Sequence, residues 1–182
     1  MNDERIDEII VKIKQDDENA FRELFFILHQ PVYRFIYRMI NDSEISKDLT
    51  QDTFIRFWNS RKILDISQSP TAYIYKIGKN LTLNHIQRNV KLSRLEDIKK
   101  VSDYSVNVHL YDEYDNKELI KDLNNALQLL PERCRMVFVL SRFNEMKYTE
   151  IAEVMGTSLQ TVKNQMNKAL GLLRKHLDVH KD

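Results

Sequence analysis

The last third of the chain has the pattern of two short helices separated by one glycine. Ile151, Ala152 and Met155 recur at helical spacing before Gly156, which readily takes the left-handed conformation that ends helices. Ser158 then offers a hydroxyl to cap the next helix. We expect that helix to bury an apolar stripe spaced by three and four residues: Val162, Met166, Ala169, Leu170 and Leu173. The pattern predicts a helix-turn-helix.

The outward positions of the second helix are polar and include cations: Gln160, Thr161, Lys163, Asn164, Asn167 and Lys168. Such amide, hydroxyl and ammonium groups pair with base edges and phosphates. An ordinary packed helical hairpin is the alternative interpretation. However, this face has no carboxylate between Gln160 and Arg174, and Ala152 is small where the two helices would cross. The combination favours DNA binding, with the second helix in the major groove.

Composition argues against an enzyme. The three glycines are too far apart to form a nucleotide-binding loop, and the five histidines are scattered without metal-ligand spacing. We therefore expect no catalytic residue, no metal and no cofactor. The single cysteine, Cys134, lies in an apolar helical stretch and has no internal disulfide partner, so we expect a small core residue in a reducing compartment.

The chain has no apolar run of membrane-spanning length, and its acidic beginning is unlike a signal peptide. We therefore expect a soluble cytoplasmic protein without direct membrane insertion. Its net charge of +1 conceals strong patterning. Residues 66–95 contain five cations and no carboxylate, residues 101–116 contain four carboxylates and no Lys or Arg, and the chain from Gln160 onward is basic again. Two basic surfaces suggest two nucleic-acid contacts.

The N-terminal half is predicted to be helical throughout. A stripe of four isoleucines opens it, Asp16 and Asp17 offer a cap for a second helix, and Pro31 is expected to kink or restart that helix. A third helix is expected over Ser43–Lys62. Ser69 and Pro70 open a fourth, which should run to about Arg88.

No segment alternates with period two for long, so the predicted class is all-α, with two small helical domains. Residues 91–117 lack a clean helical stripe and are interpreted as the linker between domains at 1–90 and 118–182.

Two faces of the N-terminal half stand out. Asp48, Gln51, Asp52 and Ile55 share one face of the third helix, although the residues alone favour a solvated surface as the interpretation of that mixture. The fourth helix combines cations and amides with two tyrosines, Tyr73 and Tyr75, a mixture that suits single-stranded DNA. At least one of these tyrosines is expected to belong to the core. The connection at 63–69 is a candidate pocket for a flipped base.

Specific motifs at specific spacings resemble those of bacterial sigma factors of the extracytoplasmic-function type, in the sigma-70 family. In the N-terminal half they are DLTQDTF at 48–54 followed by Trp58, and AYIYKIGKNL at 72–81. In the C-terminal half they are LPERCR at 130–135, EIA at 150–152 and TVK at 161–163. The resemblance covers 21–89 and 122–177, and it implies two helical domains joined by a linker.

The resemblance implies binding to core RNA polymerase and promoter-specific initiation of transcription. Core polymerase would be bound by Asp48, Gln51, Asp52 and Ile55. The −10 element would be bound by Tyr73, Lys76, Lys79, Asn80, Asn84, Gln87 and Arg88. The −35 element would be bound by Gln160, Thr161, Lys163, Asn164, Asn167 and Lys168.

The implied partners are core RNA polymerase, promoter DNA and an anti-sigma factor, with no small-molecule substrate. A helix-turn-helix transcription factor of the response-regulator type is the alternative. It requires a receiver of alternating strands and helices, whereas residues 1–90 are predicted to be continuously helical.

Overall fold

The structure is a computed structural model that describes residues 3–65, 69–96 and 117–179. Throughout those ranges the regular structure consists of α-helices and one 3₁₀ turn, with no β-strand. The chain divides into two compact units, residues 1–109 and 110–182. The predicted all-α class with two helical domains is therefore confirmed. The acidic stretch at 101–116 lies outside the described residues.

The described part of the N-terminal unit contains four α-helices: α1 (Asp3–Lys14), α2 (Glu18–Ile40), α3 (Ser43–Ser60) and α4 (Pro70–Glu96). A 3₁₀ turn, Arg61–Ile63, follows α3. Helix α2 packs against α1, α3 and α4. Its buried stripe of Leu24, Leu28, Val32 and Phe35 forms the centre of the core, and the predicted isoleucine stripe of α1 is buried beside it.

Polar side chains begin the helices where the sequence predicts caps. Asp17 accepts hydrogen bonds from the amides of Asn19, at 2.9 Å, and Ala20, at 3.1 Å, at the start of α2. Ser69 accepts one from the amide of Ala72 at 3.2 Å, with Pro70 as the first residue of α4. Each cap satisfies amides that lack an intrahelical partner.

Two expected helix ends are absent. A restart of α2 at Pro31 was wrong: Pro31 lies inside one uninterrupted helix, because buried side chains on both sides of it, such as Leu28 and Val32, hold the helix together although the proline lacks an amide hydrogen. Helix α4 continues to Glu96 rather than ending near Arg88. No glycine or proline follows Gly78 in α4, and its last turns are rich in good helix formers. The helix therefore crosses the domain boundary predicted at residue 90.

Hydroxyl groups are buried where α3 packs against its neighbours. Thr50 donates to the carbonyl of Ser46 at 2.6 Å, Thr53 to that of Leu49 at 2.7 Å, and Thr82 on α4 to that of Gly78 at 2.8 Å. Each bond satisfies a buried hydroxyl within its own helix, so these small polar residues pack tightly at little cost.

The C-terminal unit contains α5 (Lys117–Gln128), α6 (Glu132–Arg142), α7 (Tyr148–Met155) and α8 (Leu159–Val179). Arg135, 8 % exposed, donates to the carbonyls of Gln128 at 2.9 Å and Leu130 at 3.2 Å, which fixes the turn between α5 and α6. Among the described residues of both units, none of the helices has the length and apolar character needed to cross a membrane.

Candidate nucleic-acid interface

The predicted turn between α7 and α8 is present. Gly156 has a φ of 63° and caps α7, and its amide donates to the carbonyl of Glu153 at 3.2 Å. The amide of Thr157 donates to the carbonyl of Ala152 at 3.0 Å. Ser158 Oγ accepts from the amide of Thr161 at 3.2 Å, which caps the start of α8. This sharp turn sets the angle between the two helices.

The turn directs α8 so that one face is buried and the other is open. Val162, Met166 and Ala169 are at most 1 % exposed, Ile151 and Val154 of α7 are fully buried, and α7 packs against α8. The buried stripe agrees with the sequence prediction, except that Leu170 is only half-buried. Helix α8 therefore presents a fixed set of side chains to solvent.

The residues predicted to contact the −35 element lie on that open face. Five are exposed and Thr161 is half-buried; the exposed ones are Gln160, Lys163, Asn164, Asn167 and Lys168. Gln160 Nε2 donates to Asn164 Oδ1 at 3.0 Å, so two candidate base-reading amides are already paired one turn apart. Thr161 Oγ1 lies 2.9 Å from Ser158 Oγ and belongs partly to the cap.

Cys134 of α6 forms a hydrogen bond to α8. The buried thiol of α6 donates to Gln165 Oε1 of α8 at 2.9 Å, and burial raises its pKa, which keeps it protonated as a donor. The expected role of Cys134 as a small core residue is confirmed.

Helix α4 carries the second candidate face. Lys76, Asn80, Asn84, Gln87 and Arg88 are exposed, and their spacing places them along one side of the helix. The basic and amide groups of this face suit contacts to a phosphate backbone and to unpaired bases.

The two tyrosines of α4 occupy different environments. Tyr75 is 2 % exposed, and its ring centre lies 5.5 Å from that of Phe35, so it belongs to the core. Tyr73 is half-buried, with its ring centre 6.3 Å from that of Phe57. Lys79 is 9 % exposed, and burial lowers the pKa of its ammonium group. The open face therefore presents Tyr73 only in part and contains neither Tyr75 nor Lys79.

The acidic face of α3 is open, as the spacing predicts. Asp48, Gln51, Asp52 and Ile55 are all exposed, and Ile55 retains 56 % exposure despite its apolar side chain. Beside them, α2 and α3 border a groove of about 550 Å³.

This groove is lined by aromatic and aliphatic side chains with a few polar ones: Glu18, Phe21, Arg22, Phe25, Gln51, Phe54, Ile55 and Trp58. The rings of Phe21 and Trp58 are 4.9 Å apart at their centres, as are those of Phe25 and Phe54. The sequence did not predict this groove. An apolar groove bordered by carboxylates suits a helical partner with basic residues.

Family models match both units. The model of sigma-70 region 2 matches residues 25–91, and that of sigma-70 region 4 matches residues 120–173. The chain is 26% identical over 176 residues to the ECF RNA polymerase sigma factor SigW of Bacillus subtilis, covering 92% of this chain and 94% of SigW.

Solved structures share the fold. CnrH, in complex with the cytosolic domain of CnrY, superposes with a TM-score of 0.75 at 20% identity, covering 96% of this chain and 98% of that one. The sigma factor RpoE of Bartonella quintana, in complex with the anti-sigma factor NepR, has a TM-score of 0.73 at 18% identity, covering 87% and 97% of the two chains.

Proposed function

The chain belongs to the sigma-70 family of RNA polymerase sigma factors, in its extracytoplasmic-function branch, and from this premise we propose which residues perform each step. It is a sigma factor that directs promoter-specific transcription. In our proposal, residues 1–90 bind core polymerase and the −10 element, 91–117 form the linker, and 118–182 bind the −35 element.

Core polymerase binds the acidic face of α3 in this proposal. Asp48, Gln51 and Asp52 supply charge and hydrogen-bonding groups, and Ile55 joins them to the apolar groove beside Trp58. Opposite charges direct the encounter, and burial of the groove stabilises the complex. The exposure of Ile55 is the observation that favours an interface over a purely solvated surface.

The −10 element binds the open face of α4. Lys76 and Arg88 lie at its two ends and contact phosphates, while Asn80, Asn84 and Gln87 between them hydrogen-bond to unpaired bases. Tyr73 offers a partly exposed ring for stacking. Lys79 does not lie on the open face, because its side chain is largely buried. We keep it in the proposed set only for its positive charge beside Lys76.

The −35 element binds α8 in the major groove. The observation that carries this proposal is the exposed, carboxylate-free face that directly follows the Gly156–Ser158 turn. Residues near the helix start reach base edges in this kind of docking, and residues further along reach phosphates.

We also propose an anti-sigma partner for this chain, because the fold matches that of RpoE, which was solved with the anti-sigma factor NepR. The protein works in the cytoplasm without a small-molecule substrate and without chemistry of its own, because the polymerase forms the phosphodiester bonds.

Run-off transcription tests the proposal. Purified core polymerase and genomic DNA are incubated with the full chain, with Asp48→Lys/Asp52→Lys, or without either protein. We expect specific transcripts only with the unmodified chain. A response-regulator-type factor would instead leave core polymerase inactive and would bind duplex DNA without polymerase, which would contradict the assigned roles.

A further inference from the structure

The turn between α1 and α2 is bonded to the chain that leaves α3. Lys14 Nζ donates to the carbonyl of Leu64 at 2.6 Å, and Arg61 Nε donates to Asp16 Oδ1 at 2.6 Å. Lys62 Nζ bonds to the second oxygen of Asp16 and also lies 3.3 Å from the carbonyl of Lys14. We call Lys14, Asp16, Arg61 and Lys62 the α1 latch.

The backbone at Asp16 is adapted to this role. Asp16 has a φ of 68°, a left-handed conformation that aspartate and asparagine tolerate better than most residues. The short turn is closed by the amide of Asp16, which donates to the carbonyl of Ile13 at 3.0 Å, and by that of Asp17, which donates to Lys12 at 3.2 Å. This conformation directs the Asp16 carboxylate toward two cations at once.

The latch is more than an isolated surface ion pair. The hydrogen bond from Lys62, followed by that from Arg61, lowers the pKa of Asp16, so the carboxylate stays charged. The side chain of Arg61 is only 21 % exposed, which reduces screening of its bond to Asp16. Networks with shared partners and one shielded member hold geometry better than single exposed pairs.

The latch fixes one end of the connection between α3 and α4. Leu64, whose carbonyl Lys14 binds, is 8 % exposed, whereas its neighbour Ile63 is 82 % exposed. The other end is fixed by the Ser69 cap of α4, one turn before Tyr73. The polar bonds of Lys14 and Asp16 therefore hold the chain from Arg61 to Leu64, where it leaves the core.

We propose that Lys14 and Asp16 are positioning residues for promoter opening: they hold the chain in place from Arg61 to Leu64, and this placement assists melting at the proposed −10 face of α4. This inference rests on the proposed −10 role of α4. Neither Lys14 nor Asp16 is among the residues proposed for core binding or for −35 recognition. Loss of the latch should therefore slow opening without weakening either polymerase binding or −35 recognition.

The test compares two double variants of the full chain. Lys14→Met/Asp16→Asn removes two of the four latch charges, while asparagine preserves tolerance for the left-handed turn. Arg5→Met/Glu23→Gln is the matched control, since Arg5 and Glu23 form a 2.6 Å ion pair between α1 and α2, and this variant likewise removes one positive and one negative charge. Each is assembled with core polymerase on a promoter that the unmodified chain transcribes, and permanganate reactivity of unpaired thymines follows opening.

We expect the latch variant to open the duplex promoter about tenfold more slowly, because small misplacements of binding groups have large kinetic effects. Core affinity and the thermal midpoint should match those of the control variant. A template already unpaired at −10 should restore much of the lost rate. Asp16→Glu, which keeps the carboxylate, should retain more activity than Asp16→Asn.

Equal opening rates for the latch variant and the control variant would overturn the inference. So would a loss of opening that is fully accounted for by a lower thermal midpoint. The variant Asn80→Ala/Asn84→Ala distinguishes a failure of the proposed −10 role of α4 from a failure of the positioning role of Lys14 and Asp16. If that variant opens normally, the −10 role of α4 is wrong; if it fails while the latch variant opens normally, only the positioning role is wrong.

Discussion

Arg61 lies with its guanidinium carbon 4.1 Å from the centre of the Trp58 ring, while its Nε donates to Asp16. It also donates to the carbonyl of Trp58 at 2.8 Å. One side chain therefore joins the α1 latch to the wall of the apolar groove, because Trp58 lines that groove. A substitution of Arg61 would disturb both the latch and the apolar groove, so its effect could not be assigned to either one.

Reversal of charge on the α3 face should weaken assembly with core polymerase. Asp48→Lys/Asp52→Lys would place like charges against a basic partner, and we expect the affinity to fall by at least about tenfold. Calorimetric titration of the purified chain with core polymerase measures the change.

The matched control is Asp7→Lys/Glu8→Lys, because both residues are exposed on α1 and the change in net charge is the same. If both double variants lose affinity equally, the effect comes from overall charge, and the α3 face is not the specific contact.

His29 should make the stability of the N-terminal unit depend on pH. Its ring centre lies 4.6 Å from that of Phe25, and desolvation lowers its pKa from the usual value. Folding therefore favours the neutral ring, whereas the unfolded chain takes up a proton at about pH 6.5. The free energy of unfolding should fall as the pH drops below that value and level off below the folded-state pKa.

His29→Phe removes the titration and keeps an aromatic ring against Phe25. Urea unfolding at pH 8 and at pH 5.5 should show a smaller difference for this variant than for the unmodified chain. Identical differences would mean that other groups cause the whole pH dependence.

The sequence predicts local features well because neighbouring residues determine them. The caps at Asp17 and Ser69 and the turn at Gly156 each depend on a few adjacent residues. The latch depends instead on Asp16 and Arg61, which are 45 residues apart and meet only once α1, α2 and α3 have packed. No local pattern identifies such a pair.

The division of α4 into a buried and an open side was harder to predict. Ala72 and Tyr75 begin a buried stripe, but the next member is Lys79, whose charge suggests a solvent-facing position. The long aliphatic part of the Lys79 side chain is buried, so a search of the sequence for apolar residues alone does not find this stripe. The groove beside Trp58 was missed for the opposite reason, because half-buried aromatic residues that line a groove look like core residues in a sequence.

Two glycines of the C-terminal unit should respond in opposite ways to alanine. Apart from its chain neighbours and the nearby backbone of its own helix, a Cβ placed on Gly171 or Gly156 would meet no described atom within 4 Å, so neither alanine would clash. Gly171→Ala should stabilise α8 by up to about 1 kcal/mol through helix propensity. Gly156→Ala should destabilise by about 1–2 kcal/mol, since residue 156 has a φ of 63°.

Urea unfolding of the two variants measures these free energies. If both variants changed the free energy of unfolding in the same direction, backbone conformation would not govern the response at residue 156.

Specificity for the −35 element should be divided along α8. Lys163 and Asn164 lie near the helix start, where residues reach base edges, whereas Lys168 and Arg174 lie further along and are better placed for phosphates. Alanine at Lys163 or Asn164 should cost about 1–3 kcal/mol at the base contacted and relax the preference there. Alanine at Lys168 or Arg174 should weaken binding to all sequences and reduce the salt dependence by about one counterion each.

Selection from a randomised −35 element at two salt concentrations distinguishes these effects, because one readout is sequence preference and the other is salt dependence. The Lys168 and Arg174 variants are the matched controls for the Lys163 variant, since each removes one positive charge from the same exposed helix. Because Gln160 is hydrogen-bonded to Asn164, we expect the Asn164 variant also to release Gln160 and to change the preference at more than one base pair. Unchanged preferences for both the Lys163 and Asn164 variants would place base recognition on another face of the helix.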